Sequence, residues 1–305
     1  REAARRSSCQ NNLKQWGVIF KMYANESSGE KMPPLQVYGK RGSIIYRMLA
    51  SGPAIYPVYP EYLTDIELIW CPSDPDLSSY REKMYAGIDH PSGLPKGTSL
   101  LSWDPNCIDN SYMYLSWAFD KIKKTERASS FALIDYLLDD DEDPYVPTQF
   151  AAVLDGLAEA NPLLMLALSD PTRAMDVAEV LDSDADVSTP FRGKMLGNGS
   201  GDTIHRLREG VERFMITDIN NPGSSSMAQS SLWIMCDNIG AGTAMNRFNH
   251  IPGGCNVLYM DGHCSFVRYV GVDISVAADG AAAEALMAGS TPPVLPTIAT
   301  SVSAL

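Results

Sequence analysis

From Ser8 to Tyr23 the apolar residues fall at Cys9, Leu13, Trp16, Phe20 and Tyr23, in steps of four, three, four and three. That spacing returns to one side of a helix at every step, so it predicts an amphipathic helix with one face to bury against a sheet or bundle. Gln10, Asn11, Lys14 and Lys21 hold the other face, and the helix should stop before Asn25-Glu26-Ser27-Ser28-Gly29 and Pro33-Pro34. A second stripe, Ile204, Leu207, Val211 and Phe214, predicts another helix ending near Asp218-Ile219-Asn220-Asn221-Pro222. Between the two stripes the texture changes. Residues 35 to 130 carry short apolar runs with Pro and Gly at many boundaries, which suits short strands and long loops. Phe131 to Leu138 reads as a strand running into Asp139-Asp140-Asp141-Glu142-Asp143-Pro144. From Phe150 to Leu181, Ala, Leu and Met recur at helical spacing and predict two or three short helices, divided at Asn161-Pro162 and Asp170-Pro171. After the second stripe a Ser-rich loop precedes a strand from Leu232 to Met235.

Asp261-Gly262 lies between two strand-like runs, Asn256 to Met260 and His263 to Tyr269, and predicts a β-hairpin. A two-residue loop would pair Met260 with His263, Tyr259 with Cys264 and Val257 with Phe266, and would set Cys255 opposite Arg268. In that register Cys255 and Cys264 share a face about 13 Å apart, too far for a disulfide.

Composition changes this picture in two places. The chain of 305 residues is 45% hydrophobic and 20% charged, which excludes disorder and leaves room for one large domain or two ordinary ones. Its net charge of -13 argues against a nonspecific grip on nucleic acid. Against that acidic background Arg1-Glu2-Ala3-Ala4-Arg5-Arg6 is a basic patch that reads as the inside of a longer helix, so a segment upstream could carry membrane or targeting information. The six cysteines, Cys9, Cys71, Cys107, Cys236, Cys255 and Cys264, include no C-x-x-C, which excludes a zinc ribbon or a thioredoxin motif. Disulfides and buried free thiols are both compatible with their number and scatter.

Cys9-Gln10-Asn11-Asn12-Leu13-Lys14-Gln15, preceded by the basic patch, resembles the stretch just after the membrane segment in a large family of prepilin-like proteins abundant in planctomycetes. That family is known from domain of unknown function 1559 and is sometimes labelled a bacterial extracellular solute-binding family. Its second hallmark is a C-terminal His followed after nine residues by Asp-Gly. Here His250 and Asp261-Gly262 are similar, with ten residues between them, the extra one placed in Ile251-Pro252. Cys71-Pro72-Ser73-Asp74-Pro75, Ser111-Tyr112-Met113-Tyr114 and the segment from Leu207 to Phe214 also resemble parts of the family.

The resemblance implies an α+β, type IV pilin-like or pseudopilin-like fold, with an N-terminal helix packed on an antiparallel sheet. Residues 1–30 would be the second half of that helix, 31–272 a globular head with a helical insertion at 147–185, and 273–305 a weakly ordered tail with a short helix at Ala281 to Met287. Cys9, Asn11, Asn12, Leu13 and Trp16 would be structural motif residues, together with His250, Asp261 and Gly262.

Catalytic signatures are thin. None of the histidines His90, His205, His250 and His263 lies in an H-E-x-x-H, and no Ser sits in a G-x-S-x-G. His250, Asp261 and His263 could converge on a metal beside the hairpin, but the simpler reading gives Asp261 to the turn, His263 to the strand end and His250 to a loop. Asp182, Asp184 and Asp186 supply the first alternating positions of a calcium loop, yet Val187 and Gly193 exclude an EF-hand. A looser calcium site there or at Asp139 to Asp143 stays open against a solvated acidic loop, and some pseudopilins are known to bind calcium. No other cofactor is expected.

The function expected from the resemblance is a non-enzymatic, pilin-like structural protein on the periplasmic or extracellular face. An upstream segment would anchor it in the membrane, and its partners would be other pilin-like subunits or envelope assembly proteins, as in a secretion pseudopilus. The alternative is an anchored binding module for a glycan, peptide or metal, resting on Tyr56, Tyr59, Tyr62, Tyr112 and Tyr114, which packing in a core would equally explain.

Overall fold

A computed structural model describes residues 2–121, 125–137, 145–188, 194–216, 224–238, 249–250 and 254–268. The tail, with the short helix expected at Ala281 to Met287, and the run Asp139 to Asp143 lie outside these residues, as does Ile251-Pro252. In chain order the elements are α1 (Glu2–Glu26), β1 (Leu35–Arg41), β2 (Ile44–Pro53), α2 (Ile55–Val58), α3 (Leu77–Lys83) and β3 (Tyr112–Tyr114). There follow β4 (Thr125–Arg127), α4 (Ala132–Leu137), β5 (Tyr145–Pro147), α5 (Thr148–Ala160), α6 (Leu163–Ser169) and α7 (Ala174–Leu181). The last elements are β6 (Ala185–Asp186), β7 (Thr203–Ile204), α8 (Ser224–Ser231), β8 (Trp233–Asp237), β9 (Gly254–Tyr259) and β10 (Cys264–Arg268).

The chain is α+β, and its centre is a four-stranded antiparallel sheet in the order β10-β9-β8-β3. α1 covers one face. Cys9, Leu13, Trp16 and Phe20 are fully buried there, packed with Tyr112, Tyr114, Met235 and Leu258, as the four-three spacing requires. A fully buried large apolar side chain contributes about 1.5–3 kcal/mol, so this stripe is a main term in holding α1 to the sheet. Gly17 lets the helix come close: a Cβ there would stand 3.2 Å from Leu258 Cδ1.

The other face of the sheet, represented by Met113, Cys236, Cys255 and Val257, shares its core with Phe150, Val153, Leu157, Leu164, Val177 and Leu181 of α5, α6 and α7. Those helices break at the two Asx-Pro pairs that the sequence marks, and Asp170 Oδ1 accepts the Thr172 N–H at 2.9 Å to start the turn before α7. Among the described residues, no single helix is long and apolar enough to cross a membrane.

The hairpin forms where predicted but one residue out of register. Cys264 pairs with Leu258 and Val267 with Cys255, and the loop has three residues, with Gly262 N–H bonded to Tyr259 O at 2.9 Å and Gly262 at φ 86°. The reason is Met260. It is buried, and its N–H bonds Leu232 O at 2.8 Å, so it belongs to the neighbouring strand's ladder rather than to the hairpin's. The shift puts Cys255 and Cys264 on opposite faces, where the two-residue loop had put them on one. Gly262 has open space around its Cβ position, so substitution there costs backbone conformation alone. Gly262→Val should lower stability by about 1–3 kcal/mol in chemical denaturation, with Gly262→Asn costing less. Equal midpoints for the valine variant and the parent would refute the left-handed assignment.

Three other expectations are corrected. Phe131 to Leu138 contains the helix α4, because the carboxylate of Asp155 accepts the N–H groups of Ala132 at 2.9 Å and Leu133 at 2.8 Å and so caps the helix from 22 residues downstream. The stripe from Ile204 to Phe214 is not one helix. Lateral bonds hold its first half extended: Ala118 N–H to His205 O and Leu207 N–H to Ser116 O, each 2.9 Å. Gly210, at φ 75°, then turns the chain into a short 3-10 helix, Val211–Met215. In the Ser-rich segment the chain forms α8 rather than a loop.

Candidate functional site

Four sequence segments far apart in the chain meet at the N-terminal end of α1. Cys9 is disulfide-bonded to Cys71, with Cα atoms 5.4 Å apart. One turn on, Asn12 Nδ2 donates to Trp70 O at 2.9 Å and to Tyr112 Oη at 3.2 Å, and Trp16 Nε1 donates to Leu68 O at 3.0 Å. Ser73 Oγ donates to Glu2, and Ser111 Oγ donates to Asp74 Oδ2 at 2.6 Å. The Cys-Gln-Asn-Asn, Cys-Pro-Ser-Asp and Ser-Tyr-Met-Tyr motifs thus form one joint between helix and sheet.

His250 stands at its centre with a fully buried side chain. Its Nδ1 lies 2.7 Å from Glu2 Oε1, and its Nε2 lies 2.9 Å from Asp237 Oδ2 and 3.6 Å from Cys71 Sγ. Asn256 donates to Asp237 Oδ2 from its backbone at 2.8 Å and its side chain at 2.7 Å. Burial opposes a charge on His250, but hydrogen bonds and charges from Asp237 and Glu2 outweigh it and raise the imidazole pKa. Burial likewise opposes ionisation of Glu2, and His250 outweighs it and lowers the carboxyl pKa.

The four cysteines outside the disulfide are poorly suited to chemistry. Burial raises Cys236, Cys255 and Cys107 well above the ordinary thiol range and Cys264 to about 11, so all four are protonated at neutral pH.

The structure does not bring His250 to Asp261 and His263. The latter two pair with each other at the turn, where Asp261 Oδ1 accepts the His263 N–H at 3.0 Å, while His250 packs at the far end of the hairpin. Asn11 lies on the exposed face of α1. Of the five tyrosines, Tyr112 and Tyr114 are fully buried, Tyr59 and Tyr62 pack against the core under α1, and Tyr56 is exposed beside Lys40.

Asp182, Asp184 and Asp186 each accept from protein donors, the first two sharing Arg206 through its guanidinium and its backbone N–H. Asp182 Oδ1 accepts from Arg206 Nε at 3.0 Å and Nη2 at 2.8 Å. Asp184 accepts the Arg206 N–H at 2.7 Å and pairs with His205 and Arg208, and Asp186 accepts from Ser188. For Asp184, burial works against ionisation but these donors prevail and lower its pKa. Its stabilising effect is therefore present above the unfolded carboxyl value of about 3.9 and is lost as pH falls through the lower folded value. Stability measured by urea unfolding should drop below about pH 4 in the parent and less steeply in Asp184→Asn. Parallel profiles would contradict this assignment.

Sequence reasoning missed Asp237, Glu2 and Arg206. Asp237 was the one charge closing an apolar strand, a detectable signal, whereas only the folded chain shows that Arg206 is fully buried.

Comparison with known proteins adds one finding. Residues 1–48 match the family described as "Protein of unknown function (DUF1559)". The resemblance carried by Cys9 to Gln15 therefore holds, and the match covers the whole of α1 while stopping well short of His250 and Asp261-Gly262. No curated protein and no solved structure matches the chain.

Proposed function

We propose that the chain is a non-enzymatic, pilin-like structural protein of the cell envelope, displayed on the periplasmic or extracellular face and assembled with other pilin-like subunits. The observation that carries this reading is α1, a single helix of 25 residues covered by the family match. One side of it is held to the head from Glu2, which bonds His250 and Ser73, through Cys9 to Phe20, whereas Ala3, Ala4 and Arg5 lie on its exposed side. A helix docked along one side from its first turn suits the head-bound part of a longer pilin-type helix. The outer face of α1 also exposes two apolar residues one turn apart, Val18 and Met22, where the helix of a second subunit would pack.

The test uses the full-length native protein with cysteine placed at Val18. Fractionation should put it in the envelope with the head open to protease from the noncytoplasmic side, and oxidation should give disulfide-linked dimers. A cytosolic protein that gives no such dimers would end the proposal.

A second reading, an anchored binding module, has one specific support. A cleft of about 450 Å³ is lined by Lys83, His90, Tyr80 and Trp103 and by Arg41 paired with Asp104, a mixture of polar and aromatic groups suited to a glycan. Binding of a polysaccharide that is lost in Trp103→Ala would favour it.

A further inference from the structure

One ligand atom each from Cys9, Cys71, Asp237 and His250 lies within 4.8 Å of all the others, and all four residues are buried. A helix joint does not need this set. A disulfide alone would fasten α1, and a histidine and an aspartate are costly to bury beside it. Asp237 in particular is fully buried, and its Oδ1 has no hydrogen-bond partner among the described residues. An orphaned carboxylate oxygen at zero exposure calls for a donor or a cation.

We propose that, with the Cys9–Cys71 bond reduced, Cys9 Sγ, Cys71 Sγ, His250 Nε2 and a carboxylate oxygen of Asp237 bind one zinc ion. Two sulfurs, one imidazole nitrogen and one oxygen are a zinc donor set. Ligand bonds of about 2.0–2.3 Å in a tetrahedron set donor atoms about 3.3–3.8 Å apart. Cys71 Sγ and His250 Nε2 already stand 3.6 Å apart; the two sulfurs part on reduction, and Asp237, whose Oδ2 lies 2.9 Å from His250 Nε2 and accepts from Asn256, keeps Oδ1 free to turn to the ion.

The surroundings fit as well. Glu2 Oε1, 2.7 Å from His250 Nδ1, would hold that nitrogen protonated and leave Nε2 free to ligate, the usual carboxylate–histidine–metal relay. About a third of the Glu2 side chain is exposed, so it stands between the cluster and solvent on an entry path.

The two states exclude each other. A dithiol reductant transfers two electrons and two protons to the disulfide, breaking the S–S bond to give two thiols while it closes to its own cyclic disulfide. Binding of the dication then expels both thiol protons. In the reverse exchange the two thiolates pass two electrons to a cyclic disulfide, which opens and takes up two protons to leave as a dithiol, while the Cys9–Cys71 bond re-forms and the ion is released.

The test is a titration of the whole chain with cobalt(II), reduced and oxidised, without oxygen. The reduced chain should take up one equivalent, with a thiolate-to-cobalt charge-transfer band and the strong visible bands of a tetrahedral ion, all bleached by zinc. The oxidised chain should show none of these. The bands should persist in Cys236→Ser/Cys255→Ser and vanish in Cys9→Ser/Cys71→Ser. Glu2 lies near the start of α1, so Glu2→Gln should leave the fold intact and weaken binding about 10–100-fold. A folded reduced chain without the bands, equal binding by the oxidised chain, or bands that survive loss of both Cys9 and Cys71 would each overturn the proposal. If reduction alone unfolds the chain, zinc should restore its circular dichroism, and failure to do so would count against the site equally.

Discussion

Replacing both Cys9 and Cys71 with alanine should lower the unfolding free energy by about 4 kcal/mol. The bond joins residues separated by 62 positions, and loop closure on that scale removes much of the freedom of the unfolded chain. Reducing the parent protein in the presence of a chelator should reproduce the loss, and Cys107→Ser, which removes a buried thiol outside the bond, should lose as much on reduction as the parent. Urea unfolding with and without reductant decides the matter. If the parent's midpoint is the same in both conditions, the bond adds nothing to the docking of α1.

Arg206→Leu should cost about 3–5 kcal/mol, because it breaks a buried charged pair and strands the groups around it. The guanidinium is fully buried and donates to the carbonyls of Ser116, Met32 and Pro33 as well as to Asp182. Without it those carbonyls lose a donor they cannot replace with bulk water. The pair is asymmetric, and that makes the prediction sharp. The Asp182 side chain keeps 38% of its exposure and also contacts Lys31, and an asparagine oxygen at 182 can still accept from the guanidinium, so Asp182→Asn should cost less than Arg206→Leu. Equal losses for the two variants would show that the ion pair, and not the carbonyl cluster, is what Arg206 supports.

Local periodicity made α1 legible, since a helix buried on one side writes its spacing directly into the chain. The Asp-Gly turn was legible for the same reason, but its register was not. Register depended on Met260 bonding to Leu232, a contact made across the sheet and not within the hairpin. α4 was misread because its cap, Asp155, lies in another helix. The stripe from Ile204 to Phe214 was misread because apolar residues spaced by three and four can also be buried one at a time along an extended, turning segment. At the candidate site the cysteines, Asn12 and His250 stood out as motif residues. Their meeting point did not, because it needs Asp237, brought in by β8, and Glu2, brought in by the first turn of α1.

The Cys9–Cys71 bond also determines how the molecule bears load. A pull between the two ends of the chain reaches the head through sulfur at the ninth residue and bypasses everything from Gln10 to Trp70. About 200 Å of potential chain extension is locked out of the force path while the bond holds. Tension applied through the first turns of α1 would then strain the sheet and its helices before it could draw the rest of α1 out as a thread.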